Sequence, residues 1–303
     1  MVFGRFISQV YQHWYEQRRS QYFKQKVAQY LQNGRKPWSP GYQEFKWQFI
    51  EQAIADPNII EYFNNNLDLP LNYGQFLDER VVEYPWLMSR LSTEATGGCF
   101  LDAGSSLNYS CLVEHPRLAQ HHLYCVTLAP EANCFWQQGV SYVYTDLRYL
   151  PFKDEFFAGV ASISTLEHIG MDNKMLYTSE TNYQENKPQD YLLAVKELKR
   201  VLKKGHKCFI TLPFGRYQYD VFQQQFDEKM LEQIKQTFAP THYQETFFQY
   251  HREGWFISTR ENCRNCEYFN FHKTQYCDPD SSRDYDPDLA AAARAVVALE
   301  MTK

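Results

Sequence analysis

From Gly98 onward, short apolar runs alternate with helical stretches, and this alternation limits the possible folds more than any other feature of the chain. Cys99-Phe100-Leu101-Asp102-Ala103-Gly104 reads as a strand that ends in a turn. Residues 122–128, 140–144 and 157–163 read as three further strands. A helix is expected from Pro130, and another over about 190–202 that stops at Gly205, after which 207–212 forms a fifth strand. In the tail, 244–250 and 254–258 look strand-like, while 293–302 fits a strand or, on its alanines, a helix. Alternation of this kind needs a mostly parallel sheet covered on both faces.

Residues 1–92 follow a different rule and read as a helical N-terminal cap. Phe6, Val10, Trp14 and Tyr15 share one helical face, as do Phe45, Phe49, Ala53 and Ile54. Pro37, Pro40 and Gly41 divide the segment, Pro57 marks another boundary, and a helix is expected around 77–91.

Composition excludes several functions. A formal net charge of -5, with only isolated basic pairs such as Arg18-Arg19 and Lys203-Lys204, gives no nucleic-acid footprint. No window approaches the roughly 20 apolar residues of a membrane span, and the N-terminus lacks a signal peptide's apolar stretch. A soluble, cytoplasmic chain is expected. Of the eight cysteines, Cys99, Cys111, Cys125, Cys134 and Cys208 fall in segments read as core.

Two places carry candidate chemistry in the α/β part. The first is Leu101-Asp102-Ala103-Gly104-Ser105-Ser106 at the end of the first strand, where a tight turn lets backbone approach a ligand. It has one glycine where a dinucleotide turn shows three, which disfavours NAD. The second joins Asp146-Leu147-Arg148-Tyr149-Leu150-Pro151-Phe152 to Leu166-Glu167-His168-Ile169-Gly170, at the ends of the third and fourth strands. An acid at 146 can accept from an exocyclic amine, and Leu147 and Phe152 offer apolar surface to a ring.

In order and spacing, these pieces, with Ser164-Thr165 ahead of Leu166 and with Glu197-Leu198-Lys199-Arg200-Val201-Leu202-Lys203-Lys204-Gly205, resemble the class I S-adenosylmethionine-dependent methyltransferases of the type 11 domain. The resemblance runs from about Cys99 to Leu212 and implies a doubly wound, Rossmann-like α/β sheet of seven strands over 93–303, completed by an antiparallel hairpin from the tail. It implies that Asp102, Gly104 and Ser105 line the methionine part of S-adenosylmethionine and that Asp146 and Leu147 hold the adenine. Glu167 and His168 would close the pocket beside the methyl group, with His168 as the candidate base. Tyr177 and Tyr183 are alternative acceptor-side groups.

The chain departs from that pattern at two points. Serines follow the glycine of the turn, and the second strand ends Thr127-Leu128-Ala129-Pro130 where the family places an acid for the ribose hydroxyls. Glu131 is the nearest substitute. Where related metal-binding enzymes have Glu-x-x-Glu-His, the first position is Ser164, so no metal is expected there.

Cys263-x-x-Cys266 with His272 and Cys277 has the ligand types of a zinc site but not two well-spaced pairs, so an ordinary thiol loop is expected within a Cys- and Asp-rich insertion at about 259–290. The acids at Asp278, Asp280, Asp284, Asp286 and Asp288 read as a solvated loop.

The expected function is methyl transfer to a small-molecule or glycan-precursor acceptor, as in polysaccharide biosynthesis. Segment 78–86 and the rings of Trp14, Trp38, Trp47 and Trp86 would then cap the acceptor side or serve the core. The alternatives are a non-catalytic binding or scaffold protein that kept the fold, and a dinucleotide-dependent sugar-modifying enzyme.

Overall fold

The computed structural model describes residues 20–94, 97–174, 183–274, 280 and 284–303. Five parallel strands form its centre: β1 (Cys99–Ala103), β2 (His122–Thr127), β3 (Ser141–Tyr144), β4 (Gly159–Ile163) and β5 (Lys207–Pro213). Three tail strands extend this sheet: β8 (His242–His251), β9 (Gly254–Ser258) and β10 (Ala295–Thr302). The order is β3-β2-β1-β4-β5-β10-β8-β9, with β10 antiparallel to both β5 and β8. The antiparallel completion by the tail is thus present, in a doubly wound α/β sheet.

Among the described residues the sheet has eight strands, not seven. The additional strand, β9, turns back on β8 so that His251 pairs with Gly254. Its Trp255 is buried and donates from the indole to the Leu77 carbonyl, while the Trp255 amide bonds Tyr73 O. The eighth strand therefore clamps the loop that leads into the N-terminal helices.

Burial explains why 295–302 is a strand rather than a helix. All of Ala295–Met301 is buried between two neighbouring strands, an apolar run without the polar stripe of a helix at a sheet edge. Glu300 is the one charge in it, and it is met by Arg90 at 3.6 Å and Lys207 at 2.5 Å. A buried carboxylate without such partners would be costly.

Helices α2 (Tyr42–Ala55), α3 (Pro57–Asn65) and α4 (Arg80–Arg90) pack on one face and share a hydrophobic core with β1, β2 and β4. Pro85 lies inside α4 and cannot donate to the Val81 carbonyl one turn back. The Tyr73 hydroxyl bonds that carbonyl instead, at 2.9 Å, so the helix continues through its proline. The opposite face is covered by α7 (Tyr191–Val201) and α8 (Glu228–Phe238), whose apolar stripes join the second core cluster. Phe6, Val10, Trp14 and Tyr15 lie outside the described residues.

The helix expected from Pro130 is replaced by irregular chain and a short 3-10 turn, Trp136–Gln138. Side-chain bonds hold this stretch instead, among them Asn108 Nδ2 to Asn133 O and Tyr142 Oη accepting from the Phe135 amide. Of the five cysteines read as core, Cys125 and Cys208 are buried and Cys99 and Cys111 half-buried, whereas Cys134 on this stretch is exposed. Among the described residues no helix is long and apolar enough to cross a membrane.

Candidate active site

A cleft of about 290 Å³ opens at the carboxyl ends of β1–β4, where the strand order reverses between β1 and β4. The turn after β1 supplies one wall. Gly104 sits at φ +116°, and a Cβ on it would fall 2.3 Å from the Thr165 side chain, so only glycine allows the loops after β1 and β4 to meet. Ser105 follows at φ +60°, a left-handed conformation that serine rarely takes. Its hydroxyl donates to Glu131 at 2.9 Å, a contact that holds it there.

Asp102 does not face the cleft. It is fully buried beneath the turn, where Oδ1 accepts from the Ser106 amide at 3.1 Å and Oδ2 from the Leu107 amide at 2.9 Å and the Cys125 thiol. Burial raises its carboxyl to about 7, against the pull of those donors. Asp102 thus shapes the turn, while Gly104, Ser105 and Ser106 form the wall.

Glu131 lies at the wall beside that turn. Oε1 accepts from the Thr127 hydroxyl at 3.2 Å and Oε2 from Ser105 and, at 3.4 Å, Asn108 Nδ2. Glu131 thus reaches the cleft four residues after the end of β2, from the irregular stretch that replaced the expected helix.

Asp146 and Leu147 also reach the cleft, from the loop after β3. Asp146 is gripped by Arg148, with Nη2 on Oδ2 at 2.6 Å and Nε within 3.0 Å of both oxygens. Arg148 pairs with Glu185 and Asp190 as well, and its hydrogen bonds, that to Asp146 foremost, hold its guanidinium protonated well above its ordinary range against the effect of burial. Phe152 is not at the cleft. Its ring packs edge-on to Phe157 at 4.8 Å in a cluster with Tyr124 and Phe156.

The loop after β4 brings His168 to the opposite wall. His168 Nδ1 lies 2.8 Å from the Phe222 carbonyl, on the turn between β6 (Gln218–Asp220) and β7 (Gln223–Gln225). A carbonyl only accepts, so Nδ1 carries the proton and Nε2 keeps its lone pair. Burial, with Arg80 and His272 adding to it, lowers the ring to about 4 despite the carbonyl contact. The ring is neutral at physiological pH.

Glu167, by contrast, points away into the interior. It is 4% exposed, and Oε2 has no hydrogen-bond partner. Burial raises it to about 8, with Glu83 and Glu79 adding to the rise and Arg80 opposing it. Ser164, at the position of the first glutamate in the metal-binding pattern, donates to Glu83 at 2.5 Å.

Helix α4 supplies Arg80 and Tyr84 to the cleft. Arg80 Nη1 bonds Glu83 at 2.9 Å and Ile163 O at 3.1 Å, and Tyr84 donates to Ser106 O at 2.7 Å. Tyr109 joins the same wall, with the Trp47 ring tilted against it at 4.0 Å. None of Trp38, Trp47 and Trp86 lines the cleft: Trp86 is buried in the core and Trp38 stacks on Phe271 at 4.1 Å. Trp14 and Tyr177 lie outside the described residues, and the carbonyl of Tyr183 accepts from the Asn173 amide.

Among the described residues no three His, Cys, Asp or Glu side chains group as for a metal ion. The His272 ring packs on Phe222 at 4.6 Å, and Cys277 and Asp278 lie outside the described residues. Asp286 and Asp288 are not simply solvated, since both pair with Arg294 at 2.6 Å.

No family model matches the sequence, and no curated protein matches it. Among solved structures the chain is similar to the 1,6-didemethyltoxoflavin-N1-methyltransferase of Burkholderia thailandensis, bound to 1,6-didemethyltoxoflavin and S-adenosylhomocysteine, at 13% identity and a TM-score of 0.38, over 68% of this chain and 72% of that one. It is similar to an arsenic(III) S-adenosylmethionine methyltransferase of Chlamydomonas reinhardtii at 11% identity and 0.39, over 84% and 73%. It is also similar to the [4+2]-cyclase SpnF at 13% and 0.41, over 86% and 96%. Such likeness assigns neither a reaction nor an acceptor.

Proposed function

We propose that the cleft binds S-adenosylmethionine and that the chain transfers its methyl group to a small-molecule acceptor. One observation carries the reading: a loop from each of β1, β2, β3 and β4 converges on the cleft where the strand order reverses. Open parallel sheets take nucleotide-type ligands at that point.

The donor set suits this ligand. Glu131 offers carboxylate oxygens for the ribose hydroxyls, and Leu128 and Leu147 give apolar surface for the adenine. Asp146 stands at the same wall, but its two oxygens already accept four bonds from Arg148, so the exocyclic amine would share those acceptors. The Gly104–Ser106 turn brings backbone against the methionine part, with Asp102 supporting it from below.

When bound, the cofactor supplies an electrophilic methyl carbon on a sulfonium. The protein's part is alignment and removal of the acceptor proton. Nε2 of His168 is the base, its lone pair directed by the bond from Nδ1 to Phe222 O. Arg80 and Tyr84 orient the acceptor from the α4 side. Glu167 acts through its neighbours rather than on the acceptor. A glycan precursor is one member of the small polar acceptors this site would take, although Trp38, Trp47 and Trp86 do not line the cleft.

Calorimetric titration with S-adenosylmethionine tests the reading. Wild type should show one site, and Glu131→Ala should weaken it roughly 10-fold or more, the worth of a hydrogen bond to a charged group. No heat at millimolar ligand would overturn the enzyme reading in favour of a scaffold, and NAD binding in its place would favour a dinucleotide enzyme.

A further inference from the structure

Away from the cleft, Cys263 ends the short helix α9 (Arg260–Cys263), and Cys266 follows across a turn closed by the Cys266 amide on Cys263 O at 2.9 Å. Such a turn keeps its end α-carbons within about 7 Å, and a disulfide spans about 4.4–6.8 Å. The two thiols are close enough to influence each other, and both are free.

The pair is asymmetric. Cys263 is fully buried, whereas Cys266 is half-buried and flanked by exposed Asn265 and Glu267. The Cys263 thiol donates toward Cys266, Gln249 Nε2 lies 3.6 Å from the Cys266 sulfur, and Arg294 is the nearby cation. These lower Cys266 to about 7, against its own burial. Cys263 is raised, first by its bond to Cys266 and then by burial.

The backbone holds this arrangement in place. The Cys266 carbonyl accepts from the Arg216 amide at 3.0 Å and Gln225 Nε2 at 2.9 Å. Gly215 packs so closely on it that a Cβ there would stand 2.1 Å from that oxygen. Cys266 is thus fixed against β7, at the end of the turn that begins at Cys263.

We propose that Cys263 and Cys266 form a thiol–disulfide exchange site that closes to an intramolecular disulfide by reducing a low-molecular-weight disulfide of the glutathione type. The Cys266 thiolate attacks one sulfur, the disulfide bond of the oxidant breaks, and the first glutathione leaves as a thiolate. That thiolate takes the proton from Cys263. The Cys263 sulfur then attacks Cys266, and the second glutathione leaves and is protonated from water. Two electrons pass from the dithiol to the oxidant, giving one protein disulfide and two glutathione thiols.

The test is peptide mapping by mass spectrometry of the full-length reduced protein after incubation with graded oxidised glutathione near pH 7. The expected product is a 263–266 disulfide, two hydrogens lighter, formed before exposed Cys134 is modified. Cys263→Ser should stop at a glutathione adduct on Cys266, and Cys266→Ser should lose both products at this loop. The proposal is overturned if Cys134 is fully modified while the 263–266 peptide stays reduced in wild type, a readout that needs no variant to fold. Stoichiometric zinc in the purified protein, lost in either variant, would also overturn it.

Discussion

Glu167→Gln tests the interior beside the cleft through the dependence of stability on pH. The Glu167 carboxyl rises from 4.5 to about 8 on folding, and its Oε2 accepts no hydrogen bond. The folded state therefore keeps a proton that the unfolded chain releases above about pH 4.5, so this group's contribution is full below that pH and is lost as pH rises toward 8. Between about pH 5 and about pH 7.5 the loss is about 3 kcal/mol, at 1.36 kcal/mol per unit. Glutamine keeps the shape and cannot ionise. Relative to its own value at the lower pH, the variant should be spared that loss, which corresponds to about 5–10 °C in Tm for a chain near this size. Melts of both proteins at the two pH values measure the difference. Parallel pH dependences in wild type and Glu167→Gln would refute the assignment of a neutral buried acid. Asp102 and Glu79, also raised by burial, are present in both proteins and cancel in the comparison.

Other outcomes follow from the same geometry. Gly104→Ala places a methyl group on Thr165 at a positive φ and should destabilise by about 2–4 kcal/mol in urea unfolding, where a change under about 0.5 kcal/mol would contradict the close approach. Arg148→Ala leaves Asp146, Glu185 and Asp190 facing one another and should lower both Tm and cofactor affinity, and an unchanged Tm would count against the cluster. Nitrogen NMR of His168 should show the Nδ1–H tautomer and a titration midpoint near 4, whereas a midpoint near 6.5 would remove the burial argument.

Much of the sheet was legible because its strands are apolar runs bounded by turn residues, and buried parallel strands leave that signature. The antiparallel tail was legible too, but β9 was not counted as an eighth strand. It joins the sheet by pairing with β8, and its Trp255 is anchored to Leu77 and Tyr73, a distant contact that periodicity does not carry. The helix expected from Pro130 failed for the opposite reason: side-chain hydrogen bonds from Asn108, Asn133 and Tyr142 fix that stretch without a helical ladder.

At the candidate site, Gly104, Ser105, Asp146, Leu147 and His168 come together as their strand-end positions imply. Asp102 and Glu167 share those loops but point the other way, one under the turn and one into the interior, a choice of side-chain direction that sequence order does not encode. Arg80 and Tyr84 reach the cleft from a helix outside the sheet. Both lie in segment 78–86, but nothing in the order of that segment singles them out from Glu83.

The most direct measurement is a crystal structure of the protein grown with saturating S-adenosylhomocysteine. The account predicts density for the nucleoside between Leu147 and Leu128, with its ribose on Glu131 and its amino-acid part against the Gly104–Ser106 turn. Density elsewhere, or an unaltered cleft at saturating ligand, would contradict it.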